Sequence, residues 1–220
     1  MPLKARPGDA KQRGAMHGTA IHTTANQGFF MITIAITIEG TTPLLCNRFT
    51  DAAQMAATAG NRGALIGEQM SPQEQAQGKL YLDHTGREII PQPNLLRCLI
   101  DAGKFFRHGK SKVTTQKSSL ITSCVDIDQA VIPIQHRDPW TVDSRPVRIP
   151  ATGGRILCHR PCFHDWQLAF ALTVDPDLIS VKLVREIVDA AGKRIGLGDF
   201  RPDCKGPFGK FVVSRWEVQP

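Results

Sequence analysis

The residues with the most chemistry lie near the end of the chain. Arg194, Gly196, Gly198, Arg201, Lys205, Gly206, Gly209 and Lys210 share one short stretch. Glycines permit positive φ and close backbone approach. Cationic side chains around exposed amides make a phosphate cradle. The plain alternative is a tight connection packed against a sheet. A second basic group comprises Arg97, Lys104, Arg107, Lys110, Lys112 and Lys117, followed by Arg145, Arg148, Arg155 and Arg160. Pro146 and Pro161 keep parts of the later run extended. A groove lined this way tracks a nucleic-acid backbone with marked salt dependence, whereas an ordinary solvated face does not.

Other chemistries find less support. Cys158, Cys162 and His164 have metal-ligand side chains on one predicted strand. A zinc site needs four ligands, usually paired from two segments, and no second Cys/His pair stands out. No metal and no cofactor are therefore expected. There is no P-loop, no G-x-S-x-G and no H-E-x-x-H. Phe29, Phe30, Phe105, Phe106, Trp140 and Phe208 are candidates for base stacking, but no RNP1-type sequence accompanies them.

Composition bounds these readings. The chain has 220 residues, 41% apolar and 21% charged, enough for a folded core. Its net charge of +7 favours an anionic partner, nucleic acid before membrane. No apolar run is long enough to span a bilayer. The basic first residues lack the apolar segment of a signal peptide, which predicts a cytoplasmic protein with six reduced cysteines. Residues 1–27 read as a basic flexible tail, and residues 28–220 as one domain with insertions at about 50–85 and 107–160.

The elements that must position the basic residues follow from periodicity. Residues 29–40 alternate as a long strand. Residues 52–69 include a short Ala-rich helical stretch. Ser71, Pro72 and Glu74 have the pattern of a helix start. Residues 80–91 read as a hairpin with Gly86 in its turn. Residues 93–106 have helical spacing, with Asn94 as the predicted cap. Residues 118–128 and 130–134 read as strands, and 139–150 as extended chain. A strand follows the Gly-Gly turn at 153–154. Residues 165–175 alternate with Trp166, Leu168, Phe170, Leu172 and Val174 on one face. An amphipathic helix starts at Ser180 and stops near Gly192, and residues 211–218 close the chain as a strand. Mixed helices and antiparallel strands predict an α+β fold with helices on one face. A βαββαβ ferredoxin-like, RRM-like core with inserted hairpins is the simplest arrangement.

Two stretches carry a family resemblance. Glu88 to Gly103 runs from a strand ending in Ile-Pro, through a short turn, into a helix opening with Leu and Arg. This looks like the "IPGSSLKGALR" segment of the CRISPR-associated RAMP superfamily, with Gln92, Pro93 and Asn94 where the family has its Gly and Ser pair. Lys193 to Phe211 resembles the superfamily's C-terminal glycine-rich loop. The resemblance is greatest to the Cas7 backbone group. It implies an RRM-like fold and a guide-RNA-binding subunit that oligomerises along single-stranded RNA. The implied partners are crRNA, an RNA or DNA target and other subunits of an antiviral ribonucleoprotein filament. An inserted hairpin, the thumb, would fold over the guide. No catalytic residue is expected. The Cas6-like alternative, an endoribonuclease, would use His108 or His136, and target-cutting relatives point to Asp51. A third reading is a phage or mobile-element relative that binds single-stranded nucleic acid or mimics a CRISPR subunit.

Overall fold

The computed structural model describes residues 30–50, 70–148 and 153–219. The expectations for the N-terminal tail, Phe29, the Ala-rich stretch at 52–69 and Asp51 lie outside these residues.

The centre is an antiparallel sheet. Strand β1, Ile32–Gly40, buries Ile34, Ile36 and Ile38 and turns the residues between them outward. Strand β11, Trp166–Val174, pairs with it so that Ile36 faces Phe170 and Ile38 faces Leu168. Trp166, Leu168, Phe170, Leu172 and Val174 are all buried, as their alternation predicts. Strand β12, Phe211–Val218, pairs with the other side of β1. Its register shifts between Thr37 and Ile38, leaving Ser214 as the extra residue of a bulge. Strand β6, Val125–Ile127, completes the order β12-β1-β11-β6, and β8, Gln135–His136, joins β11 at its opposite end.

Two helices cover the apolar face. Helix α2, Gln92–Ala102, contributes Leu95, Cys98 and Leu99. Helix α4, Val181–Ala190, contributes Val184, Ile187 and Val188. Both sets join one core with Ile34, Ile36 and Ile38. The Ser180 side chain caps α4, accepting from the Leu183 N–H. This helix runs beyond the predicted stop at Gly192. Residues Ala191–Ile195 widen into a π turn, and Gly196 ends it at φ 77°. Gly192 is needed for another reason, since a Cβ there would meet the Phe211 backbone.

Smaller elements frame this unit. Helix α1, Pro72–Gln77, has the predicted capping box, with Ser71 and Glu74 bonded reciprocally. Gly86 turns the chain at φ 85° between bridged Leu82 and Glu88, as predicted. The following strand β3, Ile89–Pro91, pairs instead with β7, Val131–Pro133. Residues 118–128 depart from a continuous strand: Ile121–Cys124 form a single helical turn, α3, before β6. Its Ser119 hydroxyl accepts from the Ile121 N–H, starting a turn that alternation alone does not reveal. The helix predicted over 93–106 starts earlier and ends at Ala102, followed by a 3₁₀ turn at Gly103–Phe105.

Two hairpins project from the body. Strands β4, Arg107–His108, and β5, Ser111–Lys112, make a short one. Strands β9, Thr141–Arg148, and β10, Arg155–Phe163, make a long ribbon, joined at its base by β2, Leu44–Leu45.

Candidate functional site

The two stretches that carry the family resemblance meet in one cleft of about 240 Å³. One wall is the first two turns of α2, with Asn94, Arg97 and Cys98. The other is the glycine-rich loop, from Gly196 to Asp199, with Arg201. Asn47, Tyr81 and Ile90 close it.

The start of α2 explains why Asn94 is there. Pro91, in extended conformation, is the N-cap, and no side chain caps the helix. Asn94 therefore sits inside the helix and does not have its predicted capping role. Its side chain makes no hydrogen bond among the described residues and lines the cleft. Sequence spacing favoured Asn94 as the cap because asparagine is a preferred N-cap. The extended conformation at Pro91 moved the start three residues upstream.

The glycine-rich loop is built by close backbone approach. The Leu197 N–H donates to the Gly209 carbonyl at 2.9 Å, and the Asp199 N–H to that of Leu45 at 2.8 Å. Gly198 and Gly209 hold φ of 72° and 70°, where a Cβ would run into the Leu45 and Leu197 carbonyls respectively. The N–H groups of Gly196, Gly206 and Gly209 all donate to protein carbonyls. These glycines thus pack the loop against β2 and itself, and the three amides are not free to cradle phosphate. The loop's exposed cations lie outside this packing: Arg194 rests over the Phe105 ring, Lys205 is exposed at φ 62°, and Lys210 is half-exposed.

Arg160 departs from the exposed basic band altogether. It is 3% exposed, with Nη1 donating to Asp199 Oδ2 at 2.8 Å and Nη2 to Asp143 Oδ2 at 3.2 Å. Asn47 Nδ2 donates to the same Asp199 oxygen at 3.0 Å, and the Phe200 N–H to the other at 2.9 Å. Arg145 bonds Asp143 at 2.6 Å and stacks over Phe208, 4.7 Å from the ring centroid. Through these contacts the base of the ribbon is fixed to the loop that lines the cleft. No sequence signal distinguished buried Arg160 from its exposed neighbours, because its partners lie 17 and 39 residues away.

The other predicted cations fall into two surface groups and a rim. Arg145, Arg148 and Arg155 are exposed on the ribbon. Arg107, Lys110 and Lys112 sit on the short hairpin with His108 at its turn. Arg97 borders both the cleft and a second hollow shared with Lys104 and Lys117. There Arg97 and Lys104 hold buried Asp101 at 2.9 and 2.6 Å. Burial alone would raise the Asp101 carboxyl, but the bonds from Arg97 and Lys104 outweigh it and hold it below the usual carboxylate value. Arg201 bonds the Gly198 carbonyl and faces Asp203 at 3.7 Å.

His136 lies apart, with Nδ1 3.0 Å from the Asp138 carbonyl and its ring 5.2 Å from Phe163. Cys158 meets Lys79 Nζ at 3.1 Å, whereas Cys162 Sγ lies 3.9 Å from His164 Nε2. Among the described residues no group of three His, Cys, Asp or Glu side chains is placed to hold a metal. The open face of the main sheet carries Thr33, Ala35, Thr37, Ala169, Ala171 and Thr173, with no aromatic among the described strand residues. No base-stacking platform of the RRM kind is present there.

Comparison with known proteins bears on the fold. No protein-family model matches the chain, and no curated protein matches it. The fold resembles that of one chain of a solved complex. It comes from the cryo-EM structure of the Type III-B Cmr-beta bound to cognate target RNA, with a TM-score of 0.51 and 10% identity. The match covers 86% of this chain and 60% of that one. This protein thus spans 60% of its neighbour's length, and at such identity the likeness is one of fold. No helix among the described residues is long and apolar enough to cross a membrane.

Proposed function

We propose that this protein is a non-catalytic, RNA-binding subunit of a CRISPR-type effector, of the RAMP superfamily and Cas7 type. The observation that carries this reading is the meeting of the two RAMP-like stretches in one cleft, joined by Arg145 and Arg160 to a projecting arginine ribbon. The strand order β12-β1-β11-β6, with α2 and α4 on one face, supports a ferredoxin-like βαββαβ core. The structural likeness to a chain of the Type III-B Cmr-beta bound to cognate target RNA supports the same reading.

In this reading the ribbon β9–β10 is the thumb. Arg145, Arg148 and Arg155 grip the guide backbone, while Arg97 and Arg201 hold phosphates at the cleft rim. The loop glycines shape the site, and side chains rather than the amides of Gly196, Gly206 and Gly209 supply the contacts. Copies stack head to tail along the guide, so pairing carries the specificity. The protein works in the cytoplasm with other CRISPR subunits and without a cofactor.

The test is purification from a host expressing the native locus, followed by sequencing of bound nucleic acid. RNA of uniform length with a repeat-derived end, in a particle of several copies, is the expected result. Monomer free of RNA at moderate salt refutes the filament.

A further inference from the structure

We infer that the cleft between α2 and the glycine-rich loop captures a single unpaired nucleobase, a contact distinct from grip on the backbone. This rests on the RNA-binding reading above and deepens it. The size fits: about 240 Å³ lies below the roughly 300 Å³ at which drug-sized pockets begin. That is room for one ring system, not a whole nucleotide.

The lining chemistry selects a base over a phosphate. Tyr81, Ile90 and Leu197 offer an aromatic ring and apolar walls. Asp199 is a fixed negative charge on the wall, anchored by Arg160, Asn47 and the Phe200 N–H, and it repels a buried phosphate. Of the loop amides along the cleft, those of Gly196, Leu197 and Asp199 already bond protein carbonyls, so the Gly198 N–H alone is left, too few donors to hold an anion. What remains is neutral and two-sided. Asn94 keeps its whole side-chain amide, and Asn47, which donates one N–H to Asp199, keeps its carbonyl. An asparagine amide presents a donor and an acceptor side by side, the pattern that matches the edge of a base. Arg97 and Arg201 stand at the rim, where the phosphates on either side of an inserted base would pass.

The test uses the full-length protein and a short single-stranded RNA of mixed sequence, with the same oligonucleotide made abasic as the probe. Fluorescence anisotropy across a salt series gives both affinity and salt slope. The expected result is about tenfold tighter binding of the base-bearing RNA, since stacking on an aromatic contributes about 1–3 kcal/mol per base. Asn94→Ala and Tyr81→Leu are each expected to shrink that preference while the salt slope holds. Circular dichroism confirms that both variants fold. Equal affinity for the two RNAs, with the salt slope intact, overturns the base pocket and leaves the RNA-binding reading standing. Absence of salt-sensitive binding to either RNA overturns both.

Discussion

Replacing Arg160 with methionine tests whether the ribbon and the glycine-rich loop are held by charge. The Arg160 side chain is 4% exposed, between Asp143 at 10% and Asp199 at 33%. Removing one partner of a buried ion pair costs about 3–5 kcal/mol, because the other charge is left desolvated. Here two carboxylates are left, but neither is isolated. Asp143 keeps Arg145 at 2.6 Å, and Asp199 keeps Asn47 at 3.0 Å and a third of its surface in water. The lower end of the range, about 3 kcal/mol, is therefore expected. With a urea m-value of roughly 2–3 kcal/mol/M, the unfolding midpoint falls by about 1–1.5 M. Adding Asp199→Asn to Arg160→Met should recover part of the loss, since the uncompensated charge is then gone. Arg160→Met within about 0.5 kcal/mol of the parent, the range of inert surface changes, would refute the argument.

Four further outcomes are expected. Changing Arg145, Arg148 and Arg155 together to glutamine should lower the salt slope of RNA binding by about 2, at roughly 0.7 per lost single-strand phosphate contact; an unchanged slope clears the ribbon of that role. Gly209→Ala should destabilise by at least about 1–2 kcal/mol in urea unfolding, because φ 70° is strained for alanine and its Cβ meets the Leu197 carbonyl. The Asp101 carboxyl is held below its unfolded value, so its contribution is full above about pH 4 and fades as pH falls through the folded value. Thermal midpoints of parent and Asp101→Asn should accordingly differ most near neutrality and converge in acid. In thiol labelling of the folded protein, exposed Cys204 should react first; burial pushes Cys46 up to about 12 and Cys124 up to about 11, so both should be protected.

Elements governed by local rules could be read directly from the residues. Alternation over residues 165–175 gave the buried face of β11, and Ser71 and Ser180 marked their helix starts. What depends on distant partners could not be read. Asn94 fits a cap in isolation, yet Pro91 ends the strand and starts the helix. Arg160 looks like any basic residue until Asp143 and Asp199 are brought to it. The loop glycines announced a special backbone, but only packing against Leu45 and Leu197 shows that the backbone approaches itself. The cleft was legible only through a resemblance, because its two walls are about a hundred residues apart in sequence.

The ribbon also bears on how the protein behaves at high concentration. Val147, Ile156 and Leu157 are 37%, 44% and 58% exposed on a projecting two-stranded hairpin whose outer edge, among the described residues, is unpaired. Apolar strands of this kind recruit further strands and seed aggregation. Pro146, within edge strand β9, lacks the N–H that a recruited strand would need, and Arg145, Arg148 and Arg155 place like charges beside it. Two recruited copies would bring these arginines together, at a cost in charge repulsion. An anionic polymer laid along the ribbon would remove that repulsion, so the charges that keep free copies apart are the ones such a ligand would neutralise.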